Sequence, residues 1–86
     1  MRARDVADKL VAKGYTVSAI SEPDSVGPGQ VHVRSNCYVE VPAEGDALYV
    51  VMTEPDGEVV YGRPRSRFAY VLKDISCVIY QGWPRP

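Results

Sequence analysis

The four residues Glu54-Pro55-Asp56-Gly57 separate two β-rich runs within the stretch Leu48–Tyr61. Proline presets φ at the first central position of a turn, Asp56 can bond its own backbone, and Gly57 can take positive φ. The combination predicts a hairpin closed by a type I turn with a glycine bulge. This hairpin sets a register that the neighbouring segment must match.

That segment alternates. Val31, Val33, Ser35, Cys37, Val39 and Val41 take the odd positions, while His32, Arg34, Asn36, Tyr38, Glu40 and Pro42 take the even ones. Period-two alternation predicts an extended strand with a buried odd face. A turn at Ser35-Asn36 would place Val33 opposite Tyr38 and Arg34 opposite Cys37, mixing polar and apolar residues on both faces. One continuous strand, bulged near Asn36, is therefore the expectation. Ala43-Glu44-Gly45-Asp46 forms the next turn. With Val41 facing Leu48 across it, Val39 faces Val50 and Cys37 faces Met52; carried through the Pro-Asp-Gly turn, Met52 faces Val60. Val31, Val33, Cys37, Val39, Val41, Leu48, Val50, Met52 and Val60 then share one apolar face. The reverse face holds His32, Arg34, Tyr38, Glu40, Tyr49, Val51, Val59, Tyr61 and Arg63. Agreement between the alternation and two separate turns favours this antiparallel meander.

Helical segments flank it. Ala3, Val6, Ala7, Leu10 and Val11 recur at helical spacing within Arg2–Lys13, Asp5 and Lys13 suit the two ends of the helix dipole, and Gly14 suits the C-terminal cap. Tyr15–Ile20 reads as a short strand, and 21–30, with Pro23, Gly27, Pro28 and Gly29, as a mobile loop. Phe68, Val71, Leu72 and Ile75 follow an i, i+3, i+4, i+7 pattern that predicts a second helix with Ser66 as N-cap. Alternation through Phe68, Tyr70 and Leu72 is the competing strand reading for 66–75, and Cys77–Tyr80 is β-prone enough for a last strand. Residues 82–86 read as a tail. The fold class is thus α+β over 1–86: an N-terminal helix on an antiparallel meander of three to five strands, with a second helix near the C-terminus. In order alone, helix, meander and helix, the chain is similar to the double-stranded-RNA-binding-like arrangement, although it shares no motif with it.

Composition narrows the function. With 86 residues the chain makes one domain, which buries only about 60% of its unfolded surface. A net charge of −1 argues against generic nucleic-acid binding, which calls for a strong positive excess. Cys37 and Cys77 lack the spacing of a zinc site or disulfide framework, and no apolar run is long enough to span a bilayer. The expected setting is a reducing cytoplasm, with no membrane role.

Catalytic groups are scarce. The single histidine, His32, lies on a strand eight residues from Glu40, about 26 Å along an extended chain. Gly27-Pro28-Gly29 precedes no helix and is not a phosphate loop. No enzyme activity, cofactor or metal is expected. What remains is a Tyr/Arg-rich surface of Arg34, Tyr38, Tyr49, Tyr61, Arg63, Arg65 and Arg67, with Phe68 nearby. Tyrosine rings anchor protein partners, and guanidinium groups pair with carboxylate or phosphate. The expectation is a small non-catalytic interaction module that binds a protein partner, as regulators, inhibitors and phage or mobile-element accessory proteins do. The alternative is nucleic-acid binding through Arg63, Arg65 and Arg67 with neighbouring aromatics. A homodimer through an edge strand or the tyrosine face is a further option, and the C-terminal segment could instead cover that face.

Overall fold

The computed structural model describes residues 2–81. Its elements run α1 (Ala3–Ala12), β1 (Ala19–Ser21), β2 (Gly29–Arg34), β3 (Cys37–Val41), β4 (Tyr49–Thr53), β5 (Val59–Tyr61) and α2 (Phe68–Gln81). The five strands form one antiparallel sheet in sequence order. This is the α+β arrangement expected from the sequence.

The turn chemistry sets the register. Gly57 N donates to Glu54 O at 2.9 Å, Glu54 N donates to Glu58 O at 2.8 Å, and Gly57 has φ of 89°. These are the bonds of a type I turn closed by a glycine bulge. Met52 pairs with Val60 and Val51 with Tyr61, while Cys37, Val39 and Glu40 pair with Met52, Val50 and Tyr49. The predicted register holds at each of these pairs.

The strand expected to run unbroken from Val31 to Val41 is instead two strands. Ser35-Asn36 makes a tight turn, and β2 folds back on β3. In a regular ladder that turn would mix polar and apolar residues on both faces, and a β-bulge removes the conflict. His32 pairs with Tyr38 and Arg34 with Cys37, which leaves Val33 as an extra residue. The bulge interrupts the alternation, so Val31, Val33, Cys37, Val39 and Val41 all reach the same core.

Both helices cover that face, α1 across β1 and β2 and α2 across β3 and β4. Ala3, Val6, Ala7 and Leu10 of α1 meet Val71, Ile75 and Val78 of α2 over the strand valines, Leu48 and Met52. Leu10 and Ile75 have no solvent exposure, and burying side chains of that size stabilises by about 1.5–3 kcal/mol each. The first helix stops in a Schellman motif: Tyr15 N donates to Leu10 O, Gly14 N to Val11 O, and Gly14 has φ of 95°. That motif holds Tyr15 to the helix, so the strand expected from Tyr15 starts only at Ala19. The loop expected over 21–30 is shorter, because Ser21 ends β1 and Gly29 and Gln30 already belong to β2. It is also tied down. Arg2, the N-cap residue of α1, offers no side-chain cap, and the Glu22 carboxylate takes that role from the loop. Its two oxygens accept from Ala3 N at 2.8 Å and Arg4 N at 3.0 Å.

The second helix makes 66–75 helical from Phe68 onward, and it continues through Cys77–Tyr80 in place of the last strand expected from the β-prone composition there. Val71, Asp74, Ile75 and Val78 form its buried stripe. Helical spacing gives these residues one common face toward the core, whereas an extended Cys77–Tyr80 would split its apolar residues between two sides. Tyr70 N and Val71 N both donate to Arg67 O, which makes Arg67, rather than Ser66, the residue at the helix entrance. The tail expected at 82–86 lies outside the described residues.

Candidate functional site

Because both helices occupy one side, the reverse face of the sheet carries no described element. Ala19, His32, Tyr38, Val51 and Tyr61 form one row across all five strands. Ser21, Gln30, Glu40 and Tyr49 form the next. The His32 and Tyr38 rings stack with centroids 4.9 Å apart and an interplanar angle of 27°. Tyr49 and Tyr61 meet edge to face at 6.3 Å and 84°. His32 Nε2 and Gln30 Oε1 share a hydrogen bond of 2.8 Å. Side chains on adjacent strands thus fix one another, and aromatic pairs of this kind add about 0.5–1.5 kcal/mol each.

Val51 is the centre of this face. It has no solvent exposure, yet it stands apart from the core between sheet and helices. Its direct neighbours across the sheet are Tyr38 and Tyr61, and Tyr49 and Thr53 flank it along β4. The aromatic side chains therefore shield a valine that no described helix covers. Burial pushes the Tyr38 phenol up to about 12, with Tyr61 and Glu40 adding to the effect. Tyr38 accordingly stays a neutral hydrogen-bonding group at physiological pH. Tyr61, 53% exposed, and Val59, 43% exposed, present apolar surface at the β5 edge.

The arginines expected to share this face are dispersed. Arg34 pairs with Cys37, a residue sealed in the core, because the bulge at Val33 turns it toward the helix side. There it lines a cleft with Lys13 and Tyr80 instead of joining the tyrosines. Arg65 is diverted in a similar way. The Val51–Tyr61 pairing gives way to a bridge between Leu48 and Arg65, one residue out of step. Leu48 faces the core, and Arg65 reaches α2 from beside it. Arg65 Nε donates to Asp74 Oδ2 at 2.7 Å and Nη2 to Asp74 Oδ1 at 3.0 Å. The guanidinium also lies 5.4 Å from the centre of the Tyr70 ring. Asp74 is 4% exposed, and a carboxylate so buried needs a cation. Arg65 is thus committed to the fold. Arg63, beyond the end of β5, and Arg67, at the entrance of α2, remain exposed.

One signal in the sequence pointed to this. Asp74 falls between Val71 and Ile75 on the apolar stripe of α2, and a carboxylate there calls for a basic partner. The shielded centre at Val51 had no comparable signal, because it depends on three tyrosines arriving from three different strands.

The described residues show no arrangement of nucleophile and base. Cys37 is buried, and burial pushes its thiol up to about 11 although Arg34 pulls it down. A thiol in that state is a poor nucleophile at neutral pH. The carboxylates of Glu54, Asp56 and Glu58 gather within 4.8 Å at the tip of the β4–β5 hairpin, where Asp56 Oδ1 accepts from Glu58 N. They make that tip acidic. No helix among the described residues is long and apolar enough to cross a membrane. The class defined by these features is a two-layer α+β domain with one aromatic sheet face that no described element covers. No protein-family model, curated protein or solved structure matches the chain.

Proposed function

We propose that the chain is a non-catalytic binding module that docks a protein partner on its open sheet face. The observation that carries this reading is the shielded centre: Val51, buried with no described helix above it, beneath Tyr38, Tyr49 and Tyr61. Tyrosine supplies rigid contact area at low entropic cost, with a polar end that can still bond a partner. The sheet offers about 24 Å across its strands and about 17 Å along them, or roughly 400 Å² in plan. That is below the ~800 Å² per partner of a standard interface, so rim groups such as Arg63 and Arg67 contribute. The partner suited to it presents a flat apolar patch with a carboxylate toward Arg63.

Nucleic-acid binding is the weaker reading because the arginines are separated. Arg65 is neutralised by Asp74, and Arg34 lies on the helix side. Of the three arginines expected to make the patch, only Arg63 and Arg67 stay exposed and unpaired among the described residues, and on a chain of net charge −1 they offer few phosphate contacts.

The test is affinity capture from the native host with nuclease treatment, comparing the wild-type chain with Tyr49→Ala/Arg63→Ala. Circular dichroism checks that the variant is folded. The expected result is a protein partner that resists nuclease and is lost from the variant. Equal capture by both chains removes this surface from consideration.

A further inference from the structure

Both helices finish at the same end of the molecule, beside the β2–β3 turn. A cleft of about 420 Å³ opens there, lined by Lys13, Tyr15, Val33, Arg34, Ile79 and Tyr80. Ligand sites of small molecules begin at about 300 Å³. Among the described residues no carboxylate lines this cleft, and neither Lys13 nor Arg34 takes part in an ion pair. The bulge at Val33 brings Arg34 here from the opposite face, so the cation is placed by a specific backbone irregularity. The two aromatic residues differ. Tyr15 is half-buried and anchored, its hydroxyl 3.2 Å from Ser76 Oγ, whereas Tyr80 is 82% exposed at the mouth. A large ring left in water beside two cations is a surface that gains from a ligand.

The lining therefore combines charge of one sign with aromatic walls. The C-termini of α1 and α2 oppose an anion, but each is worth only about half a negative charge, and Lys13 caps the first of them. The two full positive charges outweigh them. Arginine supplies a planar fork that matches a phosphate bidentately, and lysine adds a compact point charge. We propose that this cleft binds a small organic phosphate of nucleoside-monophosphate size, its anionic group between Arg34 and Lys13 and its ring system against Tyr15 and Tyr80. This site is independent of the sheet face, which lies on the other side of the β-layer.

The experiment titrates the full chain with AMP and, separately, with inorganic phosphate at constant ionic strength, followed by two-dimensional NMR. Both probes should give saturable shifts at the amides of Gly14, Thr16 and Arg34. AMP should also move the Tyr15 and Tyr80 rings and bind more tightly than phosphate. Lys13→Gln and Arg34→Gln each remove a charge-assisted contact and should weaken AMP about tenfold or more. Both side chains are exposed residues, so the variants should fold, as circular dichroism will verify. Tyr80→Ala should keep phosphate binding and lose the advantage of AMP. The proposal fails if shifts do not saturate, if they centre on Arg63 and Arg67, or if AMP binds no better than phosphate. Indifference of AMP binding to both charge variants defeats it as well.

Discussion

Replacing Val51 by alanine tests whether the tyrosines truly shield the centre of the open face. The substitution deletes two methyl groups from a side chain with no exposure. At about 0.8 kcal/mol per buried group, the lost transfer free energy is about 1.6 kcal/mol. Val39→Ala, at an equally buried position between sheet and helices, loses the same amount. It also leaves a void of roughly 50 Å³ that rigid neighbours cannot close, which adds about 1.2 kcal/mol at 24 cal/mol per Å³. Over Val51 the rings of Tyr38 and Tyr61 face no described helix and can settle inward, so the void term should largely vanish. The expected losses are about 1.6 kcal/mol for Val51→Ala and about 2.8 kcal/mol for Val39→Ala. In a domain of this size each kcal/mol lowers the melting temperature by about 4–8 °C. Urea denaturation with a shared m-value gives the difference directly. A Val51→Ala chain within about 0.5 kcal/mol of wild type, the range of an ordinary surface substitution, would show that the centre is not shielded.

Three further outcomes follow from the geometry. Arg65→Ala strands the buried carboxylate of Asp74, so it should lower the urea midpoint clearly, whereas Arg63→Ala should leave stability unchanged and weaken only partner binding. Equal midpoints for the two variants would contradict the division of roles between these arginines. Glu22→Ala removes the borrowed cap of α1 and should lose about 1 kcal/mol, with faster hydrogen exchange at Ala3 and Arg4. Alkaline titration tests the burial of Cys37. Its thiol ionises near 9.0 in the unfolded chain but only near 11 in the native one, so the unfolded state releases its proton first. Stability should therefore be complete below pH 9 and fall by roughly 2 kcal/mol as pH rises to about 11. Cys37→Ala should flatten the curve between pH 9 and 10, before Tyr38 adds its own loss.

Much of the architecture was legible in the residues because it depends on local chemistry. Pro55-Asp56-Gly57 and Gly14 specify their own backbone geometry, and the β3–β4–β5 register follows from turn length and a period of two. The apolar stripes of both helices and the inward face of the sheet were readable for the same reason: burial leaves a periodic trace. Alternation by itself does not establish that a strand is continuous. A run from Val31 to Val41 keeps one buried parity whether it is one strand or a hairpin with a bulge, so periodicity could not distinguish them.

The candidate site divides along the same line. That Tyr38, Tyr49 and Tyr61 share a sheet face follows from register, and composition alone set the near-neutral charge. Which arginines accompany them was decided by two one-residue slips, at Val33 and between Tyr61 and Arg65. Each slip turns a side chain from one face to the other, and each draws on distant partners: the shared valine core for one, Leu48 on β4's flank and Asp74 on α2 for the other. An alternating pattern states which residues prefer burial, but a bulge forms only when the assembled sheet and helices make it the lower-energy register.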